Sequence, residues 1–115
     1  MSAAISQELV NLVKSELGTK KFSTGSKGFF GSGKIMVDGV RYQVNAQAVL
    51  VGSKQDPRAK VRATIAEAVA ALTSLIEQGI PARTFSTGRI GYRTQGKVEA
   101  HGQQFQASVQ AVQLP

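Results

Sequence analysis

Two stretches of this 115-residue chain have the spacing of a phosphate-binding loop, Gly28-x-x-x-x-Gly33-Lys34 and Gly91-x-x-x-x-Gly96-Lys97. Such a loop cradles phosphates in backbone amides, and it needs a serine or threonine next for magnesium and a helix behind it. Ile35 and Val98 stand where the hydroxyl belongs, and the residues after them alternate as a strand does. The match is therefore false, and the glycines are expected to permit bends or bulges in a strand. Other residues keep a use for phosphate. Lys20, Lys21, Lys27, Lys34, Arg41, Arg83, Arg89, Arg93 and Lys97 can neutralise a nucleic-acid backbone, while Gln43 and Gln106 can pair with base edges. Phe29, Phe30 and Tyr92 lie among glycines near a hairpin, where a ring can stack on an unpaired base, with the core as the alternative place for Phe29 and Tyr92 and Phe30 the better candidate for exposure. Phe22, Tyr42 and Phe105 read as core.

Catalytic and metal chemistry find little support. The chain has no cysteine, which removes disulfides, thiolate chemistry and most structural zinc sites. His101 is the only histidine, in a turn position. The seven acidic residues are scattered, and no base stands beside a serine in sequence. A non-enzyme with no metal and no cofactor is the expectation. No signal peptide or apolar run long enough for a membrane span is visible, and a cysteine-free chain fits the cytoplasm.

The charge is basic and unevenly placed. Fourteen lysines and arginines against seven acids give a net charge of +7. Residues 1–17 and 56–79, read as helices, sum to −1; residues 18–55 sum to +5 and residues 80–115 to +3. The whole excess thus falls on the segments read as strands, which favours a polyanionic partner over simple solubility.

Those segments recur. Shifted by 63 residues without a gap, Phe22-Ser23-Thr24-Gly25 falls on Phe85-Ser86-Thr87-Gly88, Gly33-Lys34 on Gly96-Lys97, Tyr42-Gln43 on Phe105-Gln106, and Gln47-Ala48-Val49 on Gln110-Ala111-Val112. The register reaches back into the helices, where Leu9, Leu12 and Val13 fall on Leu72, Leu75 and Ile76. This is an internal duplication of an αβββ unit.

In the first unit Ile5, Leu9, Leu12, Val13 and Leu17 form a helical stripe that Gly18 ends. In the second, Asp56 caps, Pro57 suits the first turn, Val61, Ile65, Ala68, Val69, Leu72 and Ile76 form the stripe, and Gly79 and Pro81 end it. Strands are expected at 20–25, 28–37 and 40–51, then 83–88, 91–100 and 103–114. Asp38-Gly39 and His101-Gly102 suit the two-residue hairpin turn that needs positive φ. In the last strands Tyr42, Val44, Ala46 and Ala48, or Phe105, Ala107, Val109 and Ala111, alternate with glutamine, asparagine, serine and arginine. One buried and one wet sheet face follow.

The expectation is one α+β domain over 1–115, made of units 1–55 and 56–115. The units form two layers about a pseudo-two-fold axis, with the helices on one side of antiparallel sheets. Residues 40–76 are similar in outline to the end of a double-stranded-RNA-binding domain, but the three later strands and the duplication depart from it. The repeating order of sheet and helix more closely resembles the Pur-repeat and Whirly single-stranded nucleic-acid-binding proteins, in which two sheet-plus-helix units pair about a pseudo-two-fold axis. That likeness is one of topology over most of the chain, so no functional residue is carried over from it. The function expected is non-catalytic nucleic-acid binding, preferring single-stranded DNA or RNA. The alternative is a protein-interaction or oligomeric module, with Val49, Val51, Val112 and Leu114 as apolar positions on the wet face. A homodimer is compatible with both, and no membrane partner is expected.

Overall fold

The computed structural model describes residues 3–23, 25–53, 56 and 58–115. The elements run α1 (Ala3–Glu16), β1 (Gly18–Lys21), β2 (Lys27–Val37), β3 (Val40–Leu50), α2 (Ile65–Glu77), β4 (Ala82–Thr84), β5 (Ile90–Ala100) and β6 (Gln103–Gln113). They form one antiparallel six-stranded sheet in the order β1-β2-β3-β6-β5-β4, so the two central strands, β3 and β6, pair with each other. The fold is α+β, and its extents are 44 × 26 × 20 Å.

Both helices lie side by side against one face of the sheet. On α1 the four-residue spacing of Ile5, Leu9 and Val13 turns them to the core, and Leu17 extends the stripe just past the helix. On α2 the buried residues are Ala68, Leu72, Leu75 and Ile76. From the sheet Phe29, Val44, Ala46, Ala48, Phe105, Ala107, Val109 and Ala111 complete a single cluster. Small residues in the strands let the helices come close. A Cβ at Gly33 would press on Leu12 Cδ1 at 2.7 Å, and one at Gly96 would stand 3.6 Å from Leu75 Cδ1.

The register repeats as the strands do. Gly28↔Val49 and Lys34↔Gln43 of β2–β3 recur as Gly91↔Val112 and Lys97↔Gln106 of β5–β6, each residue displaced by 63. At the margins Thr19↔Phe29 and Lys20↔Gly28 recur as Ala82↔Tyr92 and Arg83↔Gly91. Between β3 and β6, Ala46 stands opposite Val109.

Three expectations need correction. The second helix begins at Ile65 rather than 56. Asp56 caps only a local turn, accepting from the Arg58 N–H at 2.9 Å, and Pro57 lies outside the described residues. The backbone of 60–63 is claimed by Gln103, whose Oε1 accepts from the Arg62 and Ala63 N–H groups and whose Nε2 donates to the Lys60 carbonyl. Helix start passes to Thr64, which forms a capping box with Glu67. Val61 therefore belongs to the linker, and Ile65 is exposed.

The first and fourth strands are also shorter and earlier than expected. Phe22 and Phe85 open tight turns in which the N–H groups of Gly25 and Gly88 donate back to the phenylalanine carbonyls. Both glycines have positive φ, at 94° and 86°, which explains why the Phe-Ser-Thr-Gly string ends in glycine. Thr24 lies outside the described residues. Finally, β2 and β5 contain no bulge, because their registers run unbroken. Gly28 and Gly91 are required by close approach instead: a Cβ there would run into the carbonyl oxygens of Ala48 and Ala111. The hairpin turns are as expected, with positive φ at Asp38, Gly39, His101 and Gly102.

Candidate nucleic-acid interface

Strand alternation leaves the second face of the sheet uncovered by either helix. Residues paired across neighbouring strands share a face, so the register orders the open surface into rows. One row runs Lys34, Gln43, Val112, Gly91, Arg83, and another runs Lys20, Gly28, Val49, Gln106, Lys97. Each row has a glutamine, a valine and a glycine along its middle and ends in a basic side chain on both sides. With about 4.8 Å between strands, a row of five spans about 19 Å. Arg41 extends the surface beside exposed Met36. Glu99, paired with Gln104, is the one acidic residue among these strand positions.

Two central rows lie between those. They run Ser32, Asn45, Gln110, Arg93 and Phe30, Gln47, Ser108, Gln95. Here a shallow depression of about 260 Å³ is lined by Phe30, Asn45, Gln47, Arg93, Ser108 and Gln110. Adding 63 to Phe30, Asn45 and Gln47 gives Arg93, Ser108 and Gln110, so the lining is three positions and their counterparts. The Lys20 ammonium stands 4.4 Å from the centroid of the Phe30 ring and 5.6 Å from that of Phe22. Arg83 holds the corresponding place over Phe85, at 5.9 Å. Cations over ring faces fix both partners at the sheet margin.

The structure thus gathers Lys20, Phe30, Lys34, Arg41, Gln43, Arg83, Arg93, Lys97 and Gln106 on the open face. Gln43 is partly engaged, donating to the Gly33 carbonyl at 3.2 Å. The other expected residues lie elsewhere. Lys21 pairs with Lys27 on the helix side, and Lys27 Nζ donates to the Ala59 carbonyl at 2.6 Å. Arg89 occupies the β4–β5 turn, with its guanidinium 3.5 Å from the Gln113 carbonyl. Tyr92 also turns to the helix side, where its ring packs 6.0 Å from Tyr42. Burial pushes the Tyr42 pKa up, with Tyr92 beside it adding to the shift, which keeps the Tyr42 hydroxyl protonated across the ordinary range.

Reading 56–64 as helix conceals a second basic region. Arg58, Lys60 and Arg62 line an open hollow of about 620 Å³ together with Gln103 and Gln104. Lys60 also borders a hollow of about 450 Å³ with Lys20, Lys21 and Lys27. The linker is held in place at its start too, where Ser53 Oγ donates to the Leu50 carbonyl and accepts from the Lys27 N–H. The positive charge therefore continues from the open face around the β1 edge. Of the four apolar positions on the wet side, Val51 alone is exposed, while Val49, Val112 and Leu114 are half-buried.

Among the described residues no three His, Asp or Glu side chains gather to hold a metal ion. Among them, too, no helix is long and apolar enough to cross a membrane. No family model, curated protein or solved structure matches the chain.

Proposed function

We propose that this chain is a non-catalytic nucleic-acid-binding module that holds a single strand on the open face of its sheet. The observation that carries the reading is the pattern of that face: basic side chains at both ends of its two outer rows, and amides, hydroxyls, one ring and the single cation Arg93 in the two rows between them. Phosphates suit the margins, and unpaired bases suit the interior. A paired duplex would present its phosphates and hide its base faces, leaving the amide floor unused.

The same proposal includes the origin of the surface. Two αβββ units, related by a pseudo-two-fold axis between Ala46 and Val109, would each supply half of it. The repeated register supports this, as do two ring pairs. Phe29–Phe105 has centroids 5.8 Å apart at 53°, and Tyr92–Tyr42, its counterpart at both members, has 6.0 Å and 56°. The topology-level resemblance to Pur-repeat and Whirly proteins points the same way.

Fluorescence anisotropy of labelled single-stranded oligonucleotides against salt concentration tests the function. Binding should weaken steeply with salt, because each neutralised phosphate releases condensed counterions. Lys34→Ala and Lys97→Ala, at equivalent row ends, should weaken it to a similar degree. The double variant should lower the salt slope by about 1.4, given about 0.7 per phosphate contact on a single strand. No binding at low salt would end the proposal.

A further inference from the structure

The central depression has chemistry that its margins do not share. Its volume of about 260 Å³ lies below the roughly 300–1,000 Å³ of pockets for drug-sized ligands, so it suits a fragment with the bulk of one planar ring system. Phe30 forms one wall and is braced from the β1 side by the Lys20 ammonium. Asn45, Gln47 and Gln110 form much of the floor, and each carboxamide offers both donors and acceptors.

Arg93 forms the facing wall. One guanidinium nitrogen, Nη2, donates to Gln95 Oε1 at 3.0 Å. Its Nε–H is buried and has no hydrogen-bond partner among the described residues. That atom is closed off from the depression, but the guanidinium fork as a whole lines its wall and needs acceptors there. A phosphate alone would meet this need but would gain nothing from the ring or from the amide donors and acceptors together. A nucleobase uses all three: a π-face for Phe30, a hydrogen-bonding edge for the carboxamides, and acceptor atoms for Arg93.

Resting on the nucleic-acid reading above, we propose that the depression at the centre of the open face seats one unpaired nucleobase of the bound strand, stacked on Phe30 with an acceptor edge turned to Arg93. The basic row ends hold the flanking phosphates, so affinity divides into a salt-dependent part at the margins and a base-dependent part at the centre.

The test compares single-stranded oligonucleotides with abasic oligomers of the same length and phosphate count, at one salt concentration. The wild-type protein should bind the base-bearing strand about tenfold more tightly, the scale of one base stacking on an aromatic ring. Phe30→Ala and Arg93→Lys should shrink that ratio to within about twofold, and Arg93→Lys should keep the salt slope because it keeps the charge. Circular dichroism and urea midpoints confirm that each variant is folded. Equal wild-type affinity for abasic and base-bearing strands would overturn the base seat while leaving phosphate binding intact. An undiminished ratio in both variants would overturn the placement at Phe30 and Arg93. Absence of binding to either oligomer would end the nucleic-acid reading itself, and this inference with it.

Discussion

At Gly28 and Gly91 the strand backbones pass so close to the carbonyls of Ala48 and Ala111 that no side chain fits. Neither carbonyl can move without shifting its own strand, because each belongs to a long, continuously paired segment. Gly28→Ala and Gly91→Ala should therefore each cost about 1–3 kcal/mol, the usual scale of overpacking. Gly18→Ala serves as the control: a Cβ there meets nothing within 4 Å, and its effect should stay within about 0.5 kcal/mol. Urea midpoints at constant slope would measure all three, and equal effects would refute the steric account. Glu67 makes a second residue-scale statement. Its carboxylate accepts from the Thr64 N–H at 2.9 Å and lies 3.2 Å from His101 Nδ1. The Thr64 backbone hydrogen bond, followed by those of the His101 and Thr64 side chains, holds its pKa below the usual carboxylate value. A carboxylate with a depressed folded pKa stabilises the fold above its unfolded pKa, and that contribution is lost as pH falls through the folded value. The stability gap between the wild type and Glu67→Ala should accordingly be present near neutral pH and close in acid. Urea denaturation across that range would show it, and a gap independent of pH would contradict the assignment.

Among the elements, the linker between β3 and α2 is held at Lys60, Arg62 and Ala63 by one distant side chain. Gln103 makes three hydrogen bonds to its backbone, at 2.7, 3.3 and 2.8 Å. Gln103→Ala should free this segment and leave the helix start to Thr64, whose capping box does not involve Gln103. The expected outcome is faster tryptic cleavage at Arg58, Lys60 and Arg62, with a stability loss of about 1 kcal/mol, because water can reach most of the freed groups. Unchanged cleavage would mean that Gln103 does not hold the linker. This contact also explains why the start of α2 is illegible in sequence: Asp56 and Pro57 are good local start signals, and nothing near them reports a glutamine some 40 residues away. The long strands are legible because alternation over eleven residues leaves little freedom. Their parity correctly places Lys34, Gln43, Lys97 and Gln106 on the open face. Parity also contains the correct answer for Tyr92, which is an odd number of residues from Lys97 and so faces the other way. Lys21 and Lys27 are harder, because β1 spans only four residues and its register is set by pairing with β2. The central floor is visible as a wet, amide-rich strand face, but only the pairing of β3 with β6 brings Asn45 beside Gln110 and Gln47 beside Ser108.

For the molecule as a whole, both margins of the sheet are only partly closed. β1 pairs with β2 at residues 27–30, and β4 pairs with β5 at residues 90–92, so most of β2 and of β5, eleven residues each, lies beyond its short neighbour. Lys34 and Lys97 sit on these stretches, and charge on an edge strand discourages pairing with another chain. The centre of the sheet has a different consequence. Ala46 opposite Val109 is a pairing of positions 63 apart, so the central seam joins like to near-like. A polypeptide cut in the linker should not fall apart, since nine residue pairs of β3 and β6 continue to bridge the cut. Separately made fragments 1–55 and 56–115 should reassemble when mixed. Fragment 1–55 alone should pair with its own copy, Ala46 against Ala46, as a weaker homodimer. Sedimentation of each fragment and of the equimolar mixture would read this directly, and two fragments that remain monomeric when mixed would refute it. Under the two-unit proposal, the seam is a dimer interface carried within one chain, and the chain's connectivity sets which two halves meet.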